Sequence, residues 1–136
     1  MGKLLAFDFG KKRTGIAVTD DLQLIASGLT TVNSSEVLNF VSDYIQENKV
    51  EKFIIGLPKQ LDNSPSESAP IVQKYITELK KAFPQIPIIE IDERFTSKLA
   101  FKTMIDSGLS KKKRRDKTLV DQISATIILQ SYLYYR

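Results

Sequence analysis

Residues 3–19, KLLAFDFGKKRTGIAVT, decide how this chain is read. Lys3 to Phe9 is an apolar run stopped by Gly10, and Thr14 to Thr19 is a second run after a short basic connection. The pattern predicts two strands joined by a tight turn that the glycines allow. Asp8 stands out inside the first strand, among Ala6, Phe7 and Phe9. An ionised carboxylate there is costly unless it is paired or binds a cation. A salt bridge, for instance to Arg94 or a lysine, and a metal or catalytic role weigh about equally on this chemistry alone.

Outward from this stretch, Asp20-Asp21 makes a turn and Leu24 to Val32 completes a meander. Asn33-Ser34-Ser35-Glu36 has the form of a capping box. Val37, Phe40, Val41, Tyr44 and Ile45 then recur at helical spacing. Lys52 to Ile55 is a fourth strand, ended by Gly56 and Pro58. Residues 59–70 are a polar loop. Ile71, Val72, Tyr75, Ile76 and Leu79 mark a second helix, and Ile86 to Ile91 is a fifth strand. Thr96 or Ser97 caps a helix that Gly108 closes. A final helix over 119–133 buries Val120, Ile123, Ile127 and Ser131. Strands one, four and five are nearly continuous apolar runs, as parallel central strands are. The whole chain, 1–136, therefore reads as one α/β domain: a five-stranded mixed sheet with helices on both faces, in the order strand–strand–strand–helix–strand–helix–strand–helix–helix.

Composition narrows the chemistry. The chain has no cysteine, histidine or tryptophan. Disulfides, thiolate nucleophiles, Cys/His zinc sites and imidazole bases are excluded. Acid–base or metal chemistry falls to 16 Asp and Glu, the lysines and the hydroxyls. The net charge of +4 favours polyanionic partners only weakly. No apolar run reaches the roughly 20 residues of a membrane span, and the N-terminus does not read as a signal peptide. A cytoplasmic protein without a membrane partner is expected.

In parallel sheets, ligands gather beyond the carboxyl ends of the strands. Asp8 lies near such an end, Asp92 and Glu93 close the fifth strand, and Asp121 lies one turn into the last helix. Asp92 and Glu93 point to opposite faces if the strand continues through both, so only one shares a site with Asp8. Taken singly, Asp121 is equally an acid favoured by a helix N-terminus. Carboxylates gathered from distant segments suit Mg²⁺ or Mn²⁺, which take oxygen ligands. Two such ions can drive phosphodiester hydrolysis without His or Cys. Two basic runs flank these acids, Lys11-Lys12-Arg13 and Lys111-Lys112-Lys113-Arg114-Arg115. A charge run is most often a solvated loop, but this placement suits phosphate gripping. The Gly10–Gly15 segment lacks the following Lys-Ser/Thr of a P-loop.

Four segments taken together resemble the YqgF family, also called RuvX-type, whose members are described as Holliday junction resolvases or as pre-16S rRNA nucleases. They are Asp8-Phe9-Gly10 through Val18, Ile55-Gly56-Leu57-Pro58, Asp92 to Ser97 with its D-E-R start, and Lys112 through Asp121 to Gln130. The resemblance spans nearly the whole chain. It implies an RNase H-like fold, a bacterial cytoplasmic protein and nuclease activity on the 5′ end of precursor 16S rRNA. It makes Asp8 the first-strand acid and Asp121 the final-helix acid. Asp8, Glu93 and Asp121 would hold Mg²⁺ or Mn²⁺, with Asp92 among the catalytic acids and Arg94 and the basic runs on phosphates. Asn63 and Ser124 depart from the family pattern, and, unlike better-characterised junction resolvases, the chain has no acid where Gly56-Leu57-Pro58-Lys59 ends strand four. The next metal ligand is therefore expected from strand five.

Two other functions suit the same residues: resolution of branched DNA, and a non-catalytic RNA-binding role in ribosome assembly. Resolvases usually act as dimers, and the sequence is compatible with a monomer or a homodimer. Nucleotide binding of the actin/Hsp70 kind ranks last, because it needs two such lobes and this chain has one.

Overall fold

The computed structural model describes residues 2–57, 69–92 and 117–135. Five strands form one sheet: β1 (Lys3–Phe9), β2 (Arg13–Thr19), β3 (Ala26–Asn33), β4 (Val50–Leu57) and β5 (Ile88–Asp92). Their order across the sheet is β3-β2-β1-β4-β5. The first three strands are antiparallel neighbours, whereas β4 and β5 run parallel to β1. β1 is thus central, which explains its unbroken apolar run: Leu4, Leu5, Ala6 and Phe7 are all fully buried, on alternating faces.

The helices are α1 (Val37–Glu47), α2 (Ala69–Ala82) and, third among the described residues, α3 (Lys117–Tyr135). α1 and α2 cover one face, where Leu5, Phe7, Phe9, Ile16, Phe53 and Ile55 meet Val37, Val41, Val72, Ile76 and Leu79. Phe9 stacks on Tyr75 with ring centroids 5.0 Å apart, joining the end of β1 to α2. α3 covers the other face, where Leu4, Ala6, Ala17 and Ile54 meet Ala125, Ile128 and Leu129. Both faces are covered, as expected. Burying each large side chain contributes roughly 1.5–3 kcal/mol, so each face holds its helices mainly by apolar contact.

Several boundaries depart from the sequence reading. Leu24 and Ile25 do not join β3; they are about two-thirds exposed. The Asp20 carboxylate accepts the amide protons of both, at 2.8 and 2.9 Å, so neither N–H enters the ladder. Gln23 adopts a positive φ of 58° in the same turn. The expected capping box is replaced by a 3₁₀ turn, Ser34–Glu36, and Asn33 makes no side-chain cap bond. Ser34 is committed elsewhere, as shown below. β5 begins after Pro87 and lies at the sheet edge, with Glu90 exposed, so it is not a central strand. The buried side of α3 runs through Ala125, Ile127, Ile128 and Leu129, while Val120, Ile123 and Ser131 are only half-buried. This helix is apolar nearly all round, so periodicity alone could not choose its face. The expected helix after Thr96 lies outside the described residues.

The small residues on the sheet decide where α3 sits. β1 pairs with β2 so that Asp8 lies opposite Gly15 and Ala6 opposite Ala17. β2 pairs with β3 so that Gly15 lies opposite Thr31 and Ala17 opposite Gly28. The register shifts between Ile16 and Ala17, which lets Gly28 and Thr31 both pair with helix-side residues although they are an odd number apart. A Cβ on Gly15 would lie 3.1 Å from the Asp121 Cα and closer still to its carbonyl group. A Cβ on Gly28 would meet Gln122 and Thr126 side chains at 3.4 and 3.5 Å. The helix backbone therefore rests directly on β2 at Gly15.

Candidate carboxylate site

One end of the sheet gathers the carboxyl end of β1, the start of β2, the carboxyl end of β5 and the first turns of α3. Asp8 shares the parity of Leu4 and Ala6, the face that α3 covers, and it is half-buried. Its cross-strand neighbour is Gly15, and the other side of that contact is the backbone of Asp121. Asp8 and Asp121 are thus brought to either side of one glycine, although most of the chain separates them. The sequence reading assigned Gly10 and Gly15 together to the turn between strands one and two. Gly10 does belong there, donating its N–H to the Arg13 carbonyl at 3.0 Å. Gly15 lies inside β2, and its role is to admit the helix.

Asp121 is the fifth residue of α3, past the first turn in which the helix dipole favours an acid. Its carboxylate accepts a hydrogen bond from Arg13 Nε onto Oδ2 at 3.0 Å. The side chains of Arg13 and Asp121 are 35% and 24% exposed. A partly solvated pair of this kind stabilises the fold by about 1 kcal/mol or less. The sequence reading placed Arg13 on phosphates and did not foresee this pairing, because the partners lie on a strand and a helix remote in sequence. Lys11 and Lys12, next to it, are exposed as a phosphate-gripping role requires.

The basic turn is fixed from beneath by two buried hydroxyls. Ser34 Oγ donates to the Gly10 carbonyl at 2.6 Å and lies 2.8 Å from Thr14 Oγ1. The Ser34 N–H donates to the Lys12 carbonyl at 2.9 Å. The sequence assigns neither residue this role: Ser34 falls in the capping-box pattern, and a threonine at a strand end carries no distinctive spacing.

The register fixes the face of Asp92. Asp92 pairs with Leu57 and shares the parity of Ile88, on the face of α1 and α2. Asp8 and Asp121 lie on the opposite face. The alternation expected for Asp92 therefore places it away from Asp8. Glu93, Arg94 and Lys111–Arg115 lie outside the described residues, and among those described no three acids gather as a metal-ligand group. The chemistry of the pair still fits a hard divalent cation: both are carboxylates, which supply the oxygen ligands such an ion takes, and Asp121 accepts from Arg13 through Oδ2. β4 ends in Gly56-Leu57 without an acid, in keeping with the sequence.

A family model described as RuvX, Holliday junction resolvase, matches residues 2–135. The chain belongs to the RuvX family. Relatives within it include a protein of Christiangramia forsetii, 56% identical over 98% of this chain and 99% of its own length. Another, from Flavobacterium psychrophilum, is 57% identical over 98% of this chain and 97% of its own. Both carry the name "Putative pre-16S rRNA nuclease". Among solved structures, Thermus thermophilus RuvC in complex with a Holliday junction substrate superimposes with a TM-score of 0.61 at 12% identity, covering 99% of this chain and 98% of that one. A second T. thermophilus RuvC structure gives 0.54 at 14% identity, covering 97% and 96%. The RuvX chain therefore has the RNase H-like fold that the family resemblance implied. Among the described residues no helix is long and apolar enough to cross a membrane.

Proposed function

We propose that this RuvX protein is a divalent-metal-dependent nuclease that hydrolyses phosphodiester bonds in precursor 16S rRNA, at the 5′ end of the mature sequence. The observation that carries this reading is the meeting of Asp8 and Asp121 across Gly15, beside an exposed basic turn. The names carried by full-length relatives supply the substrate class.

Asp8 and Asp121 would hold Mg²⁺ or Mn²⁺ from the helix side of the sheet. Glu93 completes the set in this reading, because the residue after Asp92 has the parity of Asp8 along a continuing strand. A bound cation would supply Lewis-acid activation of water and of the phosphate. Asp92 has the opposite parity and would act by holding the end of β5. Lys11 and Lys12, with Arg94 and Lys111, Lys112, Lys113, Arg114 and Arg115, would take the phosphates on either side of the cut. The site needs no imidazole, as the composition requires.

The test incubates the protein with precursor 16S rRNA and with a four-way DNA junction, in Mg²⁺, Mn²⁺ or EDTA, beside Asp8→Asn. Cleavage of the rRNA that needs the cation, disappears in Asp8→Asn and leaves RNA binding intact is the expected result. Cleavage by Asp8→Asn rejects the site. A preference for the junction favours a second reading, DNA junction resolution, which the family description and the fold shared with RuvC support. Salt-sensitive binding without cleavage in any condition replaces both with a non-catalytic RNA-binding assembly factor.

A further inference from the structure

We infer that Arg13 is a built-in counter-ion of the carboxylate site, which a nucleic-acid phosphate draws away so that cation and nucleic acid bind with positive coupling. The inference rests on the proposed assignment of Asp8 and Asp121 as cation ligands, and it adds a role for a residue outside that ligand set.

Three observations support it. Arg13 reaches Asp121 through Nε alone; among the described residues the two terminal nitrogens of its guanidinium have no protein partner. A guanidinium bound side-on in this way keeps its outer donors free, and two parallel N–H groups match a phosphate. The pair is also partly solvated, at 35% and 24% exposure, so separating it is inexpensive. Lastly, Arg13 opens β2 immediately after exposed Lys11 and Lys12, where a phosphodiester backbone attracted to the turn would arrive.

The consequence follows from charge. With Arg13 on Asp121, the acid is neutralised and a dication is disfavoured. When a phosphate takes the guanidinium, the carboxylate, ionised throughout, loses its counter-ion and the cation gains a ligand. By linkage, the cation then strengthens nucleic-acid binding by the same factor. A unit positive charge about 5 Å from a dication in a solvated, salt-screened site is worth about tenfold in affinity.

The experiment is Mn²⁺ titration, followed by the water-proton relaxation of bound Mn²⁺, with and without a short RNA carrying non-hydrolysable linkages. In the wild-type protein the RNA should tighten Mn²⁺ binding about tenfold. In Arg13→Gln, Mn²⁺ should bind about tenfold tighter without RNA, and the RNA should add little. Lys80→Ala, at an exposed lysine in the last turn of α2, removes the same charge without the bond to Asp121 and should change Mn²⁺ affinity by less than about twofold. Arg13→Lys, which keeps a charge near the acid, separates loss of the counter-ion from loss of fold, and thermal unfolding of each variant is recorded alongside. Unchanged Mn²⁺ affinity in Arg13→Gln, or RNA coupling that survives it, overturns the counter-ion role. If Mn²⁺ binding is also indifferent to Asp8→Asn, the cation assignment itself fails; if Asp8→Asn abolishes binding while Arg13→Gln does nothing, only this inference does.

Discussion

Gly15→Ala is the sharpest test of how the fold makes the site. The added Cβ would sit 3.1 Å from the Asp121 Cα and nearer to its carbonyl, where carbon atoms in ordinary contact lie about 3.5–4.0 Å apart. No side chain can rotate away, because the obstruction is helix backbone. α3 has to retreat by more than about an ångström at this point, although Ala125, Ile128 and Leu129 hold it on the sheet one and two turns later. Overpacking of a core typically costs 1–3 kcal/mol; with a rigid neighbour the upper end, about 3 kcal/mol, is expected. For a domain of this size that is a fall in Tm of about 10 °C. Gly28→Ala is the matched comparison, since its Cβ would find ordinary contacts at 3.4 and 3.5 Å, and it should cost under about 1 kcal/mol. Differential scanning calorimetry reads the stabilities, and Mn²⁺ titration reads the site. Gly15→Ala should lose Mn²⁺ affinity by at least about tenfold at temperatures where it remains folded, because Asp121 moves with the helix. Equal Tm values for the two variants, or unchanged Mn²⁺ binding in Gly15→Ala, would falsify the claim that this glycine sets the distance between the acids.

Other expectations concern the turn and the surface. Ser34→Ala removes the donor to the Gly10 carbonyl and the partner of buried Thr14, so urea unfolding should show a loss of about 1–3 kcal/mol; adding Thr14→Val should cost less than the sum of the two single changes. Replacing Lys11 and Lys12 together by Ala should lower the slope of log K against log salt by about 1.4–1.8 if each meets one phosphate, and an unchanged slope would remove them from the interface. The amide bonds from Ile25 and Leu24 hold the Asp20 carboxyl below the usual carboxylate range. The charged form is therefore favoured by folding, and its contribution is present above the unfolded-state pKa and lost as the pH falls through the lower, folded value. An NMR titration should place the Asp20 midpoint below that of Asp20 in the unfolded chain, and Asp20→Asn should flatten the acid limb of the stability curve. A midpoint equal to the unfolded one would show that the turn does not depend on the charge.

Part of this protein could be read without coordinates, because local patterns carry it. The unbroken apolar runs of β1 and β4 announce parallel neighbours, since strands covered on both faces have no polar side to show. The absence of His and Cys confines any catalysis to carboxylates, lysines and hydroxyls, and Asp8 inside an apolar strand marks where a charge must be compensated. The four family-like segments led to the RNase H-like fold and to nuclease chemistry. What could not be read depends on which distant segments touch. Asp20 captures the amides of Leu24 and Ile25, which look like strand by hydrophobicity alone. α3 has apolar residues on most of its surface, so its buried face was decided by Gly15, Ala17 and Gly28 on the sheet and not by its own periodicity. The same close approach seats Asp121 over Gly15, the cross-strand neighbour of Asp8, and gives it Arg13 as a partner. Strand register is likewise a tertiary property, and it places Asp92 on the face opposite Asp8. Composition and pattern determine which groups are able to do chemistry; the meeting of a strand and a helix from opposite ends of the chain decides which of them stand together.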